Sequence, residues 1–239
     1  MERPKIFSLG FEGSHRSGKG TQIELLSKNL EYRDIPFLIV RGDGSRQNEG
    51  VHPGDPVSQW WTDFLPELTK EDARLEDWNQ SSYRLARELI VFRDRVLPAI
   101  CEQANSNVAV LLVDRSIISR TMIPRELNPG LSEYDLYPAD LTGNKKITTE
   151  KVCPDIIFNL VADADILLSR LDSQDPKYII RKKNIKNKAD WYKDAEQFIP
   201  ESVRGRVVEI DASAEPEHIQ RAIQSILIER IPDLGLLDN

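Results

Sequence analysis

Apolar positions along this chain recur with two periods, and each period marks its own kind of element. Short runs rich in Val, Ile, Leu and Phe occupy Lys5 to Phe11, Pro36 to Arg41, Val108 to Asp114, Asp155 to Val161 and Arg206 to Ile210, and each predicts a strand. Val110-Leu111-Leu112-Val113 and Ile156-Ile157-Phe158 are apolar without interruption, as central strands buried on both faces must be. Between these runs the spacing turns helical. Thr21 to Tyr32 places Ile23, Leu25, Leu26 and Leu30 on one side, and Glu217 to Ile231 does the same with Ile219, Ala222, Ile223, Ile226 and Leu227. A longer helix is predicted over about Ser81 to Gln103, kinked or broken at Pro98. Strands alternating with helices predict the α/β class, with a parallel sheet and crossover helices on both faces.

Two stretches interrupt the alternation. Residues of about 42–79 hold Gly42-Asp43-Gly44, His52-Pro53-Gly54-Asp55-Pro56 and Trp60-Trp61, and about 124–146 hold Pro129-Gly130, Pro138 and Gly143. Both read as insertions over one sheet edge, carrying acceptor-binding or lid elements, since long loops in compact domains are commonly functional. The chain of 239 residues is expected to form one domain with these insertions.

Charge narrows the partners. Lys and Arg total 32 against 39 Asp and Glu, a net of −7, so no basic surplus favours a nucleic acid. No apolar run approaches the length of a membrane span, and the polar start Met1-Glu2-Arg3-Pro4-Lys5 is no signal peptide, which predicts a cytoplasmic protein. With only Cys101 and Cys153 and 3 histidines, neither a disulfide framework nor a zinc site is expected.

The chemistry concentrates in Gly13-Ser14-His15-Arg16-Ser17-Gly18-Lys19-Gly20-Thr21, directly after the first strand and opening the first helix. It fits G-x-x-x-x-G-K, with Gly20 where Ser or Thr is usual and Thr21 one place on. Glycines let backbone N–H groups converge on a polyphosphate, and a helix N-terminus favours the anion. Lys19 then supplies a point charge, and Thr21 the hydroxyl for Mg²⁺. Leu111-Leu112-Val113-Asp114 ends a strand in an acid, the usual companion of such a loop, and places Asp114 beside phosphates and metal.

Phe11 to Gln22 resembles the phosphate-binding loop of thymidylate kinases, and Gly18-Lys19-Gly20-Thr21-Gln22 is also similar to adenylate kinase. Leu112-Val113-Asp114-Arg115 resembles the Asp-Arg motif of thymidylate kinase, Pro154 to Leu160 its fourth strand, and Glu209 to Ser213 its last strand and turn. The resemblance implies a P-loop NTPase α/β/α sandwich with a five-stranded parallel sheet in the order 2-3-1-4-5. It implies ATP with Mg²⁺ as donor and a nucleotide as acceptor.

Carried over residue by residue, the resemblance gives Arg16 as a catalytic arginine in the loop and Arg115 as the arginine near the acceptor phosphate. Arg41 matches the first residue of an Arg-Glu-Pro motif, which departs here to Gly42-Asp43-Gly44. His15 stands where relatives often carry an acid, and Tyr83 with Arg87 corresponds to a base-orienting Phe and Arg pair. Lys177, Arg181, Lys182, Lys183, Lys186 and Lys188 form a basic run without an acid, matching a lid over about 174–188 that would close on ATP phosphates; a solvated basic loop or an RNA patch is its rival. Asp114-Arg115-Ser116 also resembles a deoxynucleoside kinase motif, and in that reading Asp43 or Glu12 would serve as general base. The expected function is therefore transfer to a nucleoside monophosphate, against a nucleoside or other small-molecule kinase, or a nucleotide-binding regulatory module. Beyond nucleotide donor and acceptor, a second copy of the chain is the other candidate partner.

Overall fold

The computed structural model describes residues 3–41, 89–90, 92–116, 119, 149–199, 201–236. Five strands, β1 (Lys5–Gly13), β2 (Phe37–Arg41), β3 (Val108–Asp114), β4 (Ile156–Val161) and β5 (Val207–Asp211), form one parallel sheet in the order β2-β3-β1-β4-β5. This is the expected topology. The boundaries shift by one or two residues, most at β1, which runs on through Glu12 and Gly13 because β4 pairs with both.

Strand alternation sends side chains to two cores. On one face Leu9, Phe11, Val110, Leu112, Phe158 and Leu160 pack under helix α1 (Lys19–Tyr32) and a later helix, Pro216–Arg230, through Ile23, Leu26, Leu30, Ile219, Ile223 and Leu227. On the other, Leu38, Val40, Ala109, Leu111 and Val113 meet Phe92, Val96, Leu97 and Cys101. Each fully buried Leu or Phe contributes about 1.5–3 kcal/mol, so the two layers fix the sheet firmly.

Local chemistry sets the helix ends. Gly18 caps α1 in the left-handed region, so the helix starts at Lys19, two residues earlier than its apolar spacing suggests. At the other end Asp34 adopts φ 54, and the amide of Ile35 donates to the Leu30 carbonyl at 2.9 Å. Pro98 does not end the helical run: a π-helical turn, Phe92–Val96, passes directly into α2 (Leu97–Ala104), and the proline sits in the first turn of α2, where the winding changes. A short α3 (Thr149–Val152) precedes β4, α4 (Ala164–Ser169) follows it, and α5 (Tyr178–Lys193) carries the basic run as a helix rather than a loop. After α6 (Glu201–Arg204) and β5, α7 (Pro216–Arg230) packs beside α1 and against β5. The expected insertions, about 42–79 and 124–146, lie outside the described residues, as do Trp60 and Trp61.

Candidate active site

The carboxyl edge of the sheet brings Phe11, Asp114 and Arg41 into one register row. Beside it β1 leaves the sheet at Gly13, where φ is 136 and a Cβ would stand 2.4 Å from the Leu160 carbonyl oxygen. Only glycine fits there. The chain then curls through Ser14 to Gly18 into α1, with Arg16 held at φ 66, a conformation that costs a non-glycine residue about 1–2 kcal/mol.

Lys19 turns back into this loop. Its side chain is 7% exposed, and Nζ donates to the carbonyls of Gly13 and Ser14, each at 2.8 Å, and to Ser17 Oγ at 3.4 Å. Burial, then the Arg115 guanidinium, lowers its pKa to about 7, against the opposing pull of Asp114 and Glu12. Ser14 Oγ is buried in the same loop without a hydrogen-bond partner among the described residues. For His15, burial comes first and then Arg115, Lys19, Arg181 and Lys188, which together bring its pKa down to about 4. The imidazole is therefore neutral at pH 7, and the loop lies in a field of cations from β3 and α5 that a bound anion would neutralise.

Helix α5 reaches the loop through a carboxylate. Asp175, just before the helix, accepts from Arg16 Nη2 at 3.2 Å and from Arg181 through the same oxygen, Oδ2. On the far side of the loop Glu12 is fully buried. One of its oxygens accepts from the amide of Ser116 at 2.5 Å, its hydroxyl at 3.1 Å and the amide of Ser119 at 3.2 Å, while the other takes the Ser119 hydroxyl at 2.5 Å. Ser119 Oγ continues to the Tyr192 hydroxyl at 3.0 Å, which in turn accepts from Arg115 Nη1 at 3.2 Å. Burial opposes the charge on Arg115, but Tyr192, Glu12 and Asp114 outweigh it and hold the guanidinium above its ordinary range. Its backbone sits at φ 69, with the amide donating to Phe11 at 3.0 Å.

No family model matches the chain. Among curated proteins it is similar to the thymidylate kinase of Fervidobacterium nodosum, 24% identical over 172 residues that cover 70% of this chain and 72% of that protein. It is also similar to the thymidylate kinase of Prosthecochloris aestuarii, 24% identical over 233 residues and 93% of each chain. Both likenesses, at this low identity, support a divergent thymidylate kinase-like family. The likeness supports a nucleotide kinase, a phosphotransferase, at low identity.

In this thymidylate kinase-like chain, Glu12, the loop from Gly13 to Lys19, Asp114, Arg115 and Arg181 converge on one edge of the sheet, while Gly20 and Thr21 are exposed on the first turn of α1. The backbone of Arg41 lies beside Asp114. Asp43, Tyr83 and Arg87 lie outside the described residues. Sequence reasoning missed Asp175, Ser119 and Tyr192. Tyr192 had a signal, because Ile185, Ala189 and Tyr192 follow at helical spacing and are the buried stripe of α5. Ser119 had none, its partner Glu12 being 107 positions away, and for Asp175, six positions from Arg181, the contact to Arg16 spans 159 positions. Among the described residues no cluster of three or more His, Cys, Asp or Glu could hold a metal, and no helix is long and apolar enough to cross a membrane.

Proposed function

We propose that this chain transfers the γ-phosphoryl group of ATP to a nucleoside monophosphate. The observation that carries this reading is Lys19: a buried amine folded onto its own loop, its pKa drawn down to about 7, beside a Ser14 hydroxyl that has no partner among the described residues. Lys19 has its donors on the loop's own oxygens, from which a triphosphate cradled by the loop would draw them, and the same anion would accept from Ser14. In this reading Lys19 and Arg16 neutralise the transferring phosphoryl, Arg115 and Arg41 face the acceptor phosphate, and Arg181 closes from α5. Thr21 and Asp114 offer hard oxygen donors of the kind Mg²⁺ takes, since this ion needs only one or two protein oxygens when phosphates and water complete its shell. Bound there, Mg²⁺ would offset charge on the phosphates.

A phosphorylated acceptor is favoured over a nucleoside by the state of Glu12. A general base must reach the acceptor hydroxyl, yet Glu12 is fully buried, with one oxygen taken by three donors from Ser116 and Ser119 and the other accepting from Ser119 Oγ. That leaves Asp43 as the base for the rival reading. ADP release measured in a coupled assay over a panel of nucleosides and their monophosphates tests the proposal. Acceptor-dependent release with higher kcat/KM for monophosphates supports it. A consistent preference for nucleosides overturns it in favour of the nucleoside kinase, and tight ATP binding without turnover in favour of a regulatory module.

A further inference from the structure

We propose that Asp175 is a positioning residue, a carboxylate clamp that holds Arg16 of the phosphate loop and Arg181 of α5 at one point. The kinetic consequence rests on the phosphoryl-transfer reading; the clamp itself does not. Its geometry is fixed from the backbone. The Asp175 amide donates to the Asp172 carbonyl at 3.1 Å, the Tyr178 amide donates to the Asp175 carbonyl at 2.8 Å, and the Lys177 amide donates to Oδ1 at 2.8 Å. With Oδ1 tied into this turn, Oδ2 is left for the two guanidiniums. The Asp175 side chain is 12% exposed, against 36% for Arg16 and 31% for Arg181, so the anion is the sheltered member of the trio.

Half-exposed ion pairs add little stability. What this one supplies is orientation: two long cationic side chains, which would repel each other and sample many rotamers, are pinned at their tips before any ligand arrives. The same carboxylate is a negative charge beside a site for polyphosphate, so it opposes binding of the donor while preparing the arginines for the transition state. These two effects have opposite signs, and that separates Asp175 from a residue that merely supports the fold.

The test is Asp175→Asn in the full chain, read by steady-state transfer and by direct titration with ATP and Mg²⁺. Expected is a fall in kcat of at least about tenfold, within the range that misplaced groups produce, with ATP affinity unchanged or tighter. Arg16→Met combined with Asp175→Asn should lose less than the product of the two single effects, because the two changes share Arg16. Asp175→Glu, which keeps the charge, should recover part of kcat. Unchanged kcat, or a fall matched by an equal loss of ATP affinity, overturns the clamp. Should the native chain transfer to no acceptor, the functional reading fails, and the clamp is read instead by limited trypsin digestion at Arg181, Lys182 and Lys183. Asp175→Asn should then speed cleavage more than Arg16→Met, which leaves the Asp175–Arg181 pair in place; cleavage at the native rate in Asp175→Asn overturns it.

Discussion

Ser119 Oγ and the Glu12 carboxylate meet at 2.5 Å, though 107 residues separate them in the chain. The contact ties the segment after β3 beneath the phosphate loop, and Tyr192 extends it to α5. Glu12→Gln would turn an NH₂ group toward donors that need an acceptor. It should cost about 1–3 kcal/mol, seen as a lower urea midpoint with an unchanged slope. Tyr192→Phe should cost less, about 1 kcal/mol, and release the Arg115 guanidinium. If Arg115 faces the acceptor, kcat/KM for the acceptor falls while ATP affinity holds; equal losses for both substrates would place Arg115 elsewhere.

Lys19 makes nucleotide binding a proton-coupled event. In the free protein its pKa is about 7, so at pH 8 most of the population is neutral. Phosphate anions favour the ammonium, and binding must therefore take up a proton. Calorimetric titrations with ATP at pH 8, in buffers of different ionisation enthalpy, should show net uptake that disappears in Lys19→Ala. His15, with its pKa near 4, stays neutral there. The folded Lys19 pKa lies below the ordinary lysine value of 10.5, so between about 7 and 10.5 the native state binds fewer protons than the unfolded one, and stability rises with pH across that window. Lys19→Met should be more stable than the native chain at pH 6, lose that advantage as pH rises, and show no transfer.

The three loop glycines should respond differently to alanine. Gly13→Ala drives a Cβ into the Leu160 carbonyl, a backbone atom that cannot swing aside, and should be the most destabilising of the three. Gly18→Ala meets no atom within 4 Å but must hold φ 91, a strain of about 1–2 kcal/mol. Gly20 lies in the helix with open space around it, and Gly20→Ala should stabilise by about 0.5–1 kcal/mol. Thermal melts in the absence of nucleotide give the ranking directly. A loss of stability in Gly20→Ala would mean that this helical start is not as described.

Arg16 and Arg181 share one carboxylate, yet their kinetic weights should differ. Arg16 sits on the loop itself, so Arg16→Met should lower kcat by at least about a hundredfold with little change in ATP affinity, the pattern of an interaction made in the transition state. Arg181→Met should have the smaller effect. The reverse ranking with the same substrates moves the catalytic arginine from the loop to α5.

Much of the sheet was legible because its signal is local. Val110 to Val113 and Ile156 to Phe158 are apolar without a break, and a strand buried on both faces can hardly be written otherwise. The course of the loop from β1 into α1 was legible as well, since glycine and lysine spacing reports backbone geometry. The basic run from Lys177 to Lys188 was harder. Its charges suggested an open loop, and two of its apolar residues mislead in the other direction, since Ile179 and Ile180 are 80% and 63% exposed. The helix is held by Ile185, Ala189 and Tyr192 further along. Glu12, read as a base or a contact to the acceptor, is instead seen filled by hydroxyl and amide donors from after β3. That arrangement exists only once β1 and β3 are neighbours, and no window of sequence around Glu12 contains it.

The strand order also bears on how the chain comes off the ribosome. β1 pairs on one side with β3 and on the other with β4, and its neighbour in sequence, β2, is not beside it. Neither edge of β1 can be covered until Val108 to Asp114 has emerged, and the second stays bare until Val161. At ~5–20 residues per second the first wait is roughly five to twenty seconds, during which an apolar strand carrying Leu9 and Phe11 has two unpaired edges, and one edge stays open until β4 follows. Nascent chains halted before β4 should therefore need chaperone cover, and the loop from Gly13 to Lys19, although made early, gains its partners at Asp175 and Arg181 among the last.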